Sequence, residues 1–314
     1  MDAIKKPISQ FSKYYAKCSN WGKLMIFIIL LLFLIFAFKG LKNGLKEGFA
    51  QNDSFVFKTG SDIYDDFYAD IYDHLVFNNM KDEYEVGEIV NKTSPSSQSK
   101  VLDIGSGTGH HVAELASRNI DTVGIDISEA MVKKAKANFP NYKFQLGDAL
   151  NGRTFQPESF THILCMYFTI YYFKDKAAFF KNAMNWLKPG GYLLLHLVDR
   201  DLFDPILPPG NPLVLVSPQK YAKDRITSTR VKFTDFTYAA NFELDKTKNE
   251  AKFSEKFKND GDGKSRKHEH IMYMPELSEI TDEAQGAGFI LEGKIDLLHC
   301  QYEYQYVYIF TRGT

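Results

Sequence analysis

The stretch Val101–Gly109, VLDIGSGTG, restricts the fold more than any other part of the chain. Val101, Leu102 and Ile104 form a short apolar run of the buried-strand kind. The chain then turns through Gly105, Gly107 and Gly109 into a helical pattern beginning near His110. Glycine permits positive φ there and lets backbone N–H groups meet a ligand with no Cβ in between. A second apolar run, Thr122–Ile125, ends on Asp126, where a carboxylate can take both hydroxyls of a ribose. This order predicts a nucleoside pocket at the carboxyl end of a parallel sheet. Nicotinamide and flavin enzymes use a similar turn, so the turn alone does not choose the nucleoside.

Further signals do choose. The glycines are spaced G-x-G-x-G with Asp103 two residues ahead, and a third strand, Tyr142–Leu146, runs into Gly147-Asp148-Ala149. A fourth strand is expected at Thr161–Met166. The helix Asp175–Leu187 and the turn WLKPGG (Trp186–Gly191) lead to a fifth at Tyr192–Val198. Helices are expected at His110–Arg118 and at Glu129–Asn138, the latter capped by Ser128. After a helix at Glu276–Gly286, the runs Gly288–Leu297 and Tyr304–Thr311 follow with no helix between them, the mark of a final antiparallel hairpin. In order and separation these motifs resemble class I S-adenosylmethionine-dependent methyltransferases, from about Ile63 to the C-terminus. The resemblance implies an α/β, Rossmann-like fold: a doubly wound, mostly parallel seven-stranded sheet ending in an antiparallel hairpin.

The same resemblance implies S-adenosyl-L-methionine as cofactor and assigns its contacts. Asp103, Gly105, Gly107 and Gly109 are expected at the methionine end, Asp126 at the ribose, and Ile127 and Met131 beside the adenine. Asp148 is expected at the adenine amino group, and Ala149 offers a backbone N–H. Cys165, ending the fourth strand, joins this set, or is a small buried hydrophobe. A helix is expected near Ile63–Val76, and helices before the glycine turn cover the cofactor in such proteins. Tyr64, Tyr68 or Tyr72 is therefore a candidate to face the sulfonium through its ring.

Methyl transfer from a sulfonium needs alignment, removal of a proton where the acceptor carries one, and exclusion of water. Candidate catalytic residues are His196 and Asp199 near the end of the fifth strand, and Tyr171 within CMYFTIYYF (Cys165–Phe173), where the acceptor site should open. Tyr167 and Tyr172 in that stretch are candidate pocket residues or ordinary core aromatics. Between the fifth strand and Glu276, an insertion at about 200–274 shows strand alternation at Arg230–Leu244, Ala251–Lys258 and Lys267–Met274. It predicts a three-stranded antiparallel β cap over the site, with a bulge or bend near Thr234-Asp235. His268 and His270 share one strand face without a third ligand in view, so no metal is expected.

Lys and Arg total 38 against 39 Asp and Glu, and no basic stripe with interleaved aromatics appears, so no nucleic-acid partner is expected. Cys18, Cys165 and Cys300 are too scattered for a disulfide framework or zinc site. Leu24–Phe38, LMIFIILLLFLIFAF, is uninterrupted hydrocarbon flanked by Trp21, Lys23 and Lys39. It predicts one transmembrane helix, residues 24–41, between a basic tail (1–23) and a Gly/Lys/Asn-rich linker (42–60) leading to the methyltransferase domain (61–314). Lysine balance mildly favours a cytosolic N-terminus, whereas cofactor supply favours a cytosolic catalytic domain; the latter is the expectation adopted. The partners expected are the lipid bilayer and a small-molecule or lipid-like acceptor. An inactive methyltransferase-like scaffold at a membrane and a protein or RNA methyltransferase remain the alternatives, and the sequence does not determine oligomeric state.

Overall fold

The computed structural model describes residues 54–206, 219 and 222–314, together with 19, 21, 23 and 25–27 near the N-terminus. It divides into two units, Met1–Gly48 and Phe49–Thr314. Most of the basic tail, Cys18, the span Leu24–Phe38 apart from its helical Met25–Phe27, and much of the linker lie outside the described residues. Among the described residues no helix is long and apolar enough to cross a membrane.

In chain order the second unit has strand β1 (Phe55–Thr59), helices α1 (Asp66–Leu75) and α2 (Asn79–Thr93), β2 (Lys100–Ile104), α3 (His110–Ser117) and β3 (Asp121–Asp126). Next come α4 (Glu129–Asn138), β4 (Lys143–Leu146), β5 (Phe160–Cys165), α5 (Lys176–Trp186) and β6 (Leu187–Val198). Then follow β7 (Ser228–Lys232), β8 (Phe236–Asp245), β9 (Glu250–Asn259), β10 (Ser265–Tyr273), α6 (Leu277–Gly286), β11 (Phe289–Asp296) and β12 (Gln305–Arg312).

Strands β2, β5 and β6 are buried along most of their lengths, because helices cover both faces of a parallel sheet. The seven strands run in the order β11-β12-β6-β5-β2-β3-β4. Pairing is parallel from β6 through β4 and antiparallel at β12 and β11, as expected from the two strand runs lacking a helix between them. The chain moves outward from β2 to β4, then crosses back to β5 on the other side of β2. Between β2 and β5 the direction of winding reverses, and open α/β sheets bind ligands at the carboxyl ends of the strands at such a point.

The cap differs from expectation. It is a five-stranded sheet in the order β1-β10-β9-β8-β7, not a three-stranded one. Its extra edge comes from the stretch read as tether: Phe55–Thr59 pairs parallel with Ser265–Glu269. Five residues of alternating exposure carry too little apolar signal to show as a strand before a partner edge is known. The run Arg230–Leu244 is two strands, not one bent strand. The phase change at Thr234-Asp235 is a reversal, in which Phe233 N–H bonds the Phe236 carbonyl (2.8 Å) and the two rings stack at 4.7 Å. Likewise β6 begins at Leu187, within the expected turn.

Candidate active site

The glycine turn is stapled to its neighbours by backbone bonds. Ser106 N–H reaches the Ile125 carbonyl (2.9 Å), and Gly109 N–H reaches that of Ser106 (2.9 Å). Asp126 closes the rim: one carboxylate oxygen accepts from Gly107 N–H (3.0 Å) and the other from Ser128 N–H (2.8 Å). Each oxygen keeps a lone pair for a further donor. Burial raises the Asp126 pKa, against the opposing effect of the Ser128, Gly107 and Ile127 N–H groups. Gly105 has φ +69°, and a Cβ there would lie 2.5 Å from the Thr169 side chain. Gly109 caps α3 at φ +96°, and a Cβ would lie 2.7 Å from the Phe144 ring. Left-handed strain and overpacking add, so Gly109→Ala should lower unfolding free energy by about 2–4 kcal/mol. Chemical denaturation measures this; an unchanged midpoint would contradict the packing.

One cavity of about 580 Å³ opens at this rim, large enough for a cofactor and part of a small acceptor. Gly105, Gly107, Asp126, Ile127, Met131, Asp148 and Ala149 all line it. Asp126 and Asp148 therefore share one hollow. The Asp148 carboxylate accepts from Leu150 N–H (2.8 Å), and Ile127 is 58% exposed, an apolar platform for a base.

Tyr64, Tyr68 and Tyr72 cover the cavity from the α1 side, as expected of at least one of them. The cover is tied down twice. Ser128 caps α4, accepting from Met131 N–H (3.1 Å), and donates its hydroxyl proton to the Tyr64 carbonyl (2.5 Å). Thr108, inside the glycine turn, donates to Asp73 (2.5 Å) near the end of α1. Burial pushes all three phenols up, so they present neutral, electron-rich rings suited to a sulfonium.

Beyond β5 the wall continues through Tyr167, Phe168 and Tyr172, and the cap closes over it with Phe242, Phe253, His270 and Met272. Among the described residues no lysine or arginine lines the cavity. The buried face of the cap is mostly aromatic, yet it carries Glu255, Arg266, His268 and His270. Tyr172 Oη lies 2.8 Å from His270 Nδ1, and His270 Nε2 lies 2.9 Å from Glu255 Oε2. Tyr238 donates to Glu255 Oε1 (2.7 Å), and Arg266 Nε donates to His268 Nε2 (2.7 Å). Burial would raise the Glu255 pKa, but hydrogen bonding from His268 and His270 opposes it and holds the carboxyl below the ordinary range.

Several expected site residues are not cavity-lining. His196 is fully buried on β6, its Nδ1–H given to the Tyr167 carbonyl, and burial pushes its pKa down to about 4. It supports Tyr167, whose backbone turns left-handed at φ 51°. The Tyr171 hydroxyl accepts from Val198 N–H (2.8 Å) and is spent on the end of β6. Asp199 donates its N–H to the Tyr304 carbonyl (2.8 Å) and accepts from Asp201 N–H (3.0 Å), capping a turn. Cys165 is buried in the main core. Asp103 is buried within the sheet, and Gly109 starts a helix behind the rim. For His196, Cys165 and Asp103, which lie on strands, phase explains the placement: neighbouring residues point to opposite faces, and one-residue differences in strand start cannot be read from apolar runs.

The residues missed were Glu255 and the cavity role of His270. Counting back across the β9–β10 hairpin places Glu255 opposite His268, which the sequence contained as a signal. The ligand atoms of Glu255, His268 and His270 lie within 4.8 Å of one another, so the third partner thought absent is present.

Asp103 belongs to a second charged group, under α2. His111 Nε2 lies 3.3 Å from Asp82 and 3.2 Å from Glu85, and Lys81 Nζ lies 2.7 Å from Glu85. Burial lowers the His111 pKa, but those carboxylates outweigh it and raise it to about 9. Burial raises Asp103 to about 7. A raised histidine stabilises fully below its unfolded value and loses that contribution as pH rises through about 9; a raised carboxyl adds a cost as pH climbs to about 7. Unfolding free energy should therefore fall between pH 6.5 and 9, by on the order of 2 kcal/mol, and His111→Gln should flatten that limb. Denaturant titrations at both pH values check this; a flat or rising wild-type profile contradicts it.

The family model described as a methyltransferase domain matches residues 95–258, just over half of the chain. A dTDP-4-amino-2,3,4,6-tetradeoxy-D-glucose N,N-dimethyltransferase of Saccharopolyspora spinosa is 30% identical over 147 residues, 45% of this chain and 58% of that protein. A dTDP-3-amino-3,4,6-trideoxy-alpha-D-glucopyranose N,N-dimethyltransferase of Streptomyces venezuelae is 26% identical over 140 residues, 42% of this chain and 58% of that protein. The match thus spans less than two thirds of either relative. An S-adenosylmethionine-dependent methyltransferase of Clostridium acetobutylicum superposes with a TM-score of 0.60 at 18% identity, covering 79% of this chain and 98% of that one, which shows the shared fold. With a family model spanning most of the parallel sheet, and a rim whose glycines and two acids fit a sulfonium nucleoside, the chain belongs to the methyltransferase-domain family and S-adenosylmethionine is its expected cofactor.

Proposed function

We propose that the protein transfers the methyl group of S-adenosylmethionine to a small acceptor with an apolar body, held beneath the cap. The observation that carries this reading is the continuity of one cavity, from the Asp126–Asp148 rim to aromatic walls on β5 and the cap. S-adenosylmethionine would supply an electrophilic methyl on a good leaving group. Asp126 would hold the ribose and Asp148 the adenine, with Ile127 and Met131 against the base. The tyrosine cover would shield the sulfonium from water. The two relatives named for amino sugars favour an amine nucleophile. The absence of lysine and arginine from the described lining favours an acceptor, or an acceptor end, without phosphate.

Labelled S-adenosylmethionine incubated with the protein and fractionated extracts tests the reading. Label is expected in the small-molecule or lipid fraction, and among amine standards in unphosphorylated ones. Label confined to protein or RNA, or cofactor binding with no transfer at all, would reject it. We further propose an anchor through Leu24–Phe38, supported by that run of hydrocarbon, with the catalytic domain on the cytosolic side, where the cofactor is supplied. Recovery of the full chain in the supernatant after alkaline carbonate extraction would reject the anchor.

A further inference from the structure

The cap's polar cluster touches the cavity at one point, where the Tyr172 hydroxyl meets His270. We propose that Tyr172, His270 and Glu255 form a proton relay that takes the acceptor's proton during methyl transfer, with Tyr172 as the catalytic group and the other two as positioning residues. The proposal rests on the function proposed above and names the base that its chemistry needs.

The direction of the relay follows from the donors. The Glu255 carboxylate only accepts, and its oxygens take the Tyr238 hydroxyl and His270 Nε2–H. A neutral His270 with its proton on Nε2 offers the Nδ1 lone pair to the Tyr172 hydroxyl, 2.8 Å away. Burial pushes the Tyr172 phenol up, so it stays protonated and cannot by itself act as a base. It can act only by giving up its proton as it gains another. As the bond from the acceptor's nucleophilic atom to the methyl carbon forms, the carbon–sulfur bond breaks and its electron pair stays on sulfur. The acceptor's proton passes to Tyr172 Oη, and the Tyr172 proton passes to His270 Nδ1. The imidazolium so formed faces the Glu255 carboxylate until product leaves and the proton is lost to solvent.

The same bookkeeping of protons argues against a metal ion. Arg266 Nε–H occupies His268 Nε2, so His268 carries its proton on Nδ1, the atom directed at Glu255 (3.6 Å). A cation between them would lose that lone pair and meet a guanidinium on the next side chain. Burial lowers the His268 pKa and, with the Arg266 charge, outweighs the raising effect of Glu255, so His268 stays neutral. The other titratable groups facing His270 are Tyr64 and Tyr68 from the cover, Glu255 from β9 and His268 on its own strand. Asp65, bonded to Arg266, supplies the guanidinium's counter-charge.

The test uses the full chain labelled with ¹⁵N-histidine. Long-range ¹H–¹⁵N spectra at pH 7.5 should show His270 neutral with the proton on Nε2, and His268 neutral with the proton on Nδ1. An imidazolium at His270, a proton on its Nδ1, or ring-nitrogen shifts on stoichiometric zinc addition would overturn the relay. In parallel, Tyr172→Phe and His270→Asn should bind S-adenosylhomocysteine by calorimetry within about threefold of wild type. They should nevertheless lose about 10²-fold or more in kcat, with a pH profile altered from that of wild type, on the extract fraction that wild-type protein labels. Intact S-adenosylhomocysteine binding with a wild-type rate in Tyr172→Phe would defeat the relay alone. Failure of wild-type protein to bind S-adenosylhomocysteine would instead defeat the functional reading beneath it.

Discussion

Asp126→Ala should weaken S-adenosylmethionine binding by about 100-fold or more, while leaving the protein folded. On the proposed reading the substitution would remove the acceptor for two ribose hydroxyls, and charge-assisted hydrogen bonds are worth about 1.5–3 kcal/mol each. It also strips Gly107 and Ser128 of the carboxylate that holds their N–H groups, so the glycine turn loses a tie to β3. The remaining bonds of the turn, from Ser106 and Gly109, are backbone-only and survive. Asp126→Asn should fall between the two, since the amide keeps one acceptor oxygen but places a donor against an N–H group. Calorimetry with S-adenosylmethionine and S-adenosylhomocysteine reads the effect. An affinity within about threefold of wild type would mean that the nucleoside does not lie on this rim.

The largest effect on stability is expected at Glu255. Removing one partner from a buried charged cluster costs about 3–5 kcal/mol, because the groups left behind have no water to turn to. In Glu255→Ala those groups are the Tyr238 hydroxyl, His270 Nε2–H and the nearby His268 Nδ1, all on the buried face of the cap. Glu255→Gln should cost less, since one oxygen still accepts while the new amide confronts a ring N–H. Urea unfolding with a fixed slope measures the difference. A loss under about 1 kcal/mol for Glu255→Ala would show that the cluster is not held as the structure draws it.

Much of the nucleotide-facing half was legible from local pattern. The apolar runs marking β2 to β6 are long and bounded by turn residues, and helices between them force parallel crossovers of one hand. The final two strands, lacking a helix, had to be antiparallel. Gly105, Gly107, Asp126, Ile127, Met131, Asp148 and Ala149 follow directly from that frame, because each sits at a strand's carboxyl end or in the turn just after it. Their placement needs only the order of elements, not the exact phase of any side chain.

The acceptor-facing half was not legible in the same way. His196, Asp199 and Tyr171 are near the correct strand ends but point into the sheet, into a turn, or to a backbone partner. The edge strand Phe55–Thr59 draws its pairing from β10, more than two hundred residues away in the chain. Glu255, His270 and Tyr172 come together only because a hairpin register and the docking of the cap on β5 are both satisfied. The sequence by itself determined a parallel sheet with a rim of glycines and acids, since strand order and glycine placement are properties of neighbouring residues. Only the tertiary structure decided which side chains complete the cavity, because facing across a cap depends on register and contact between segments that local pattern does not encode.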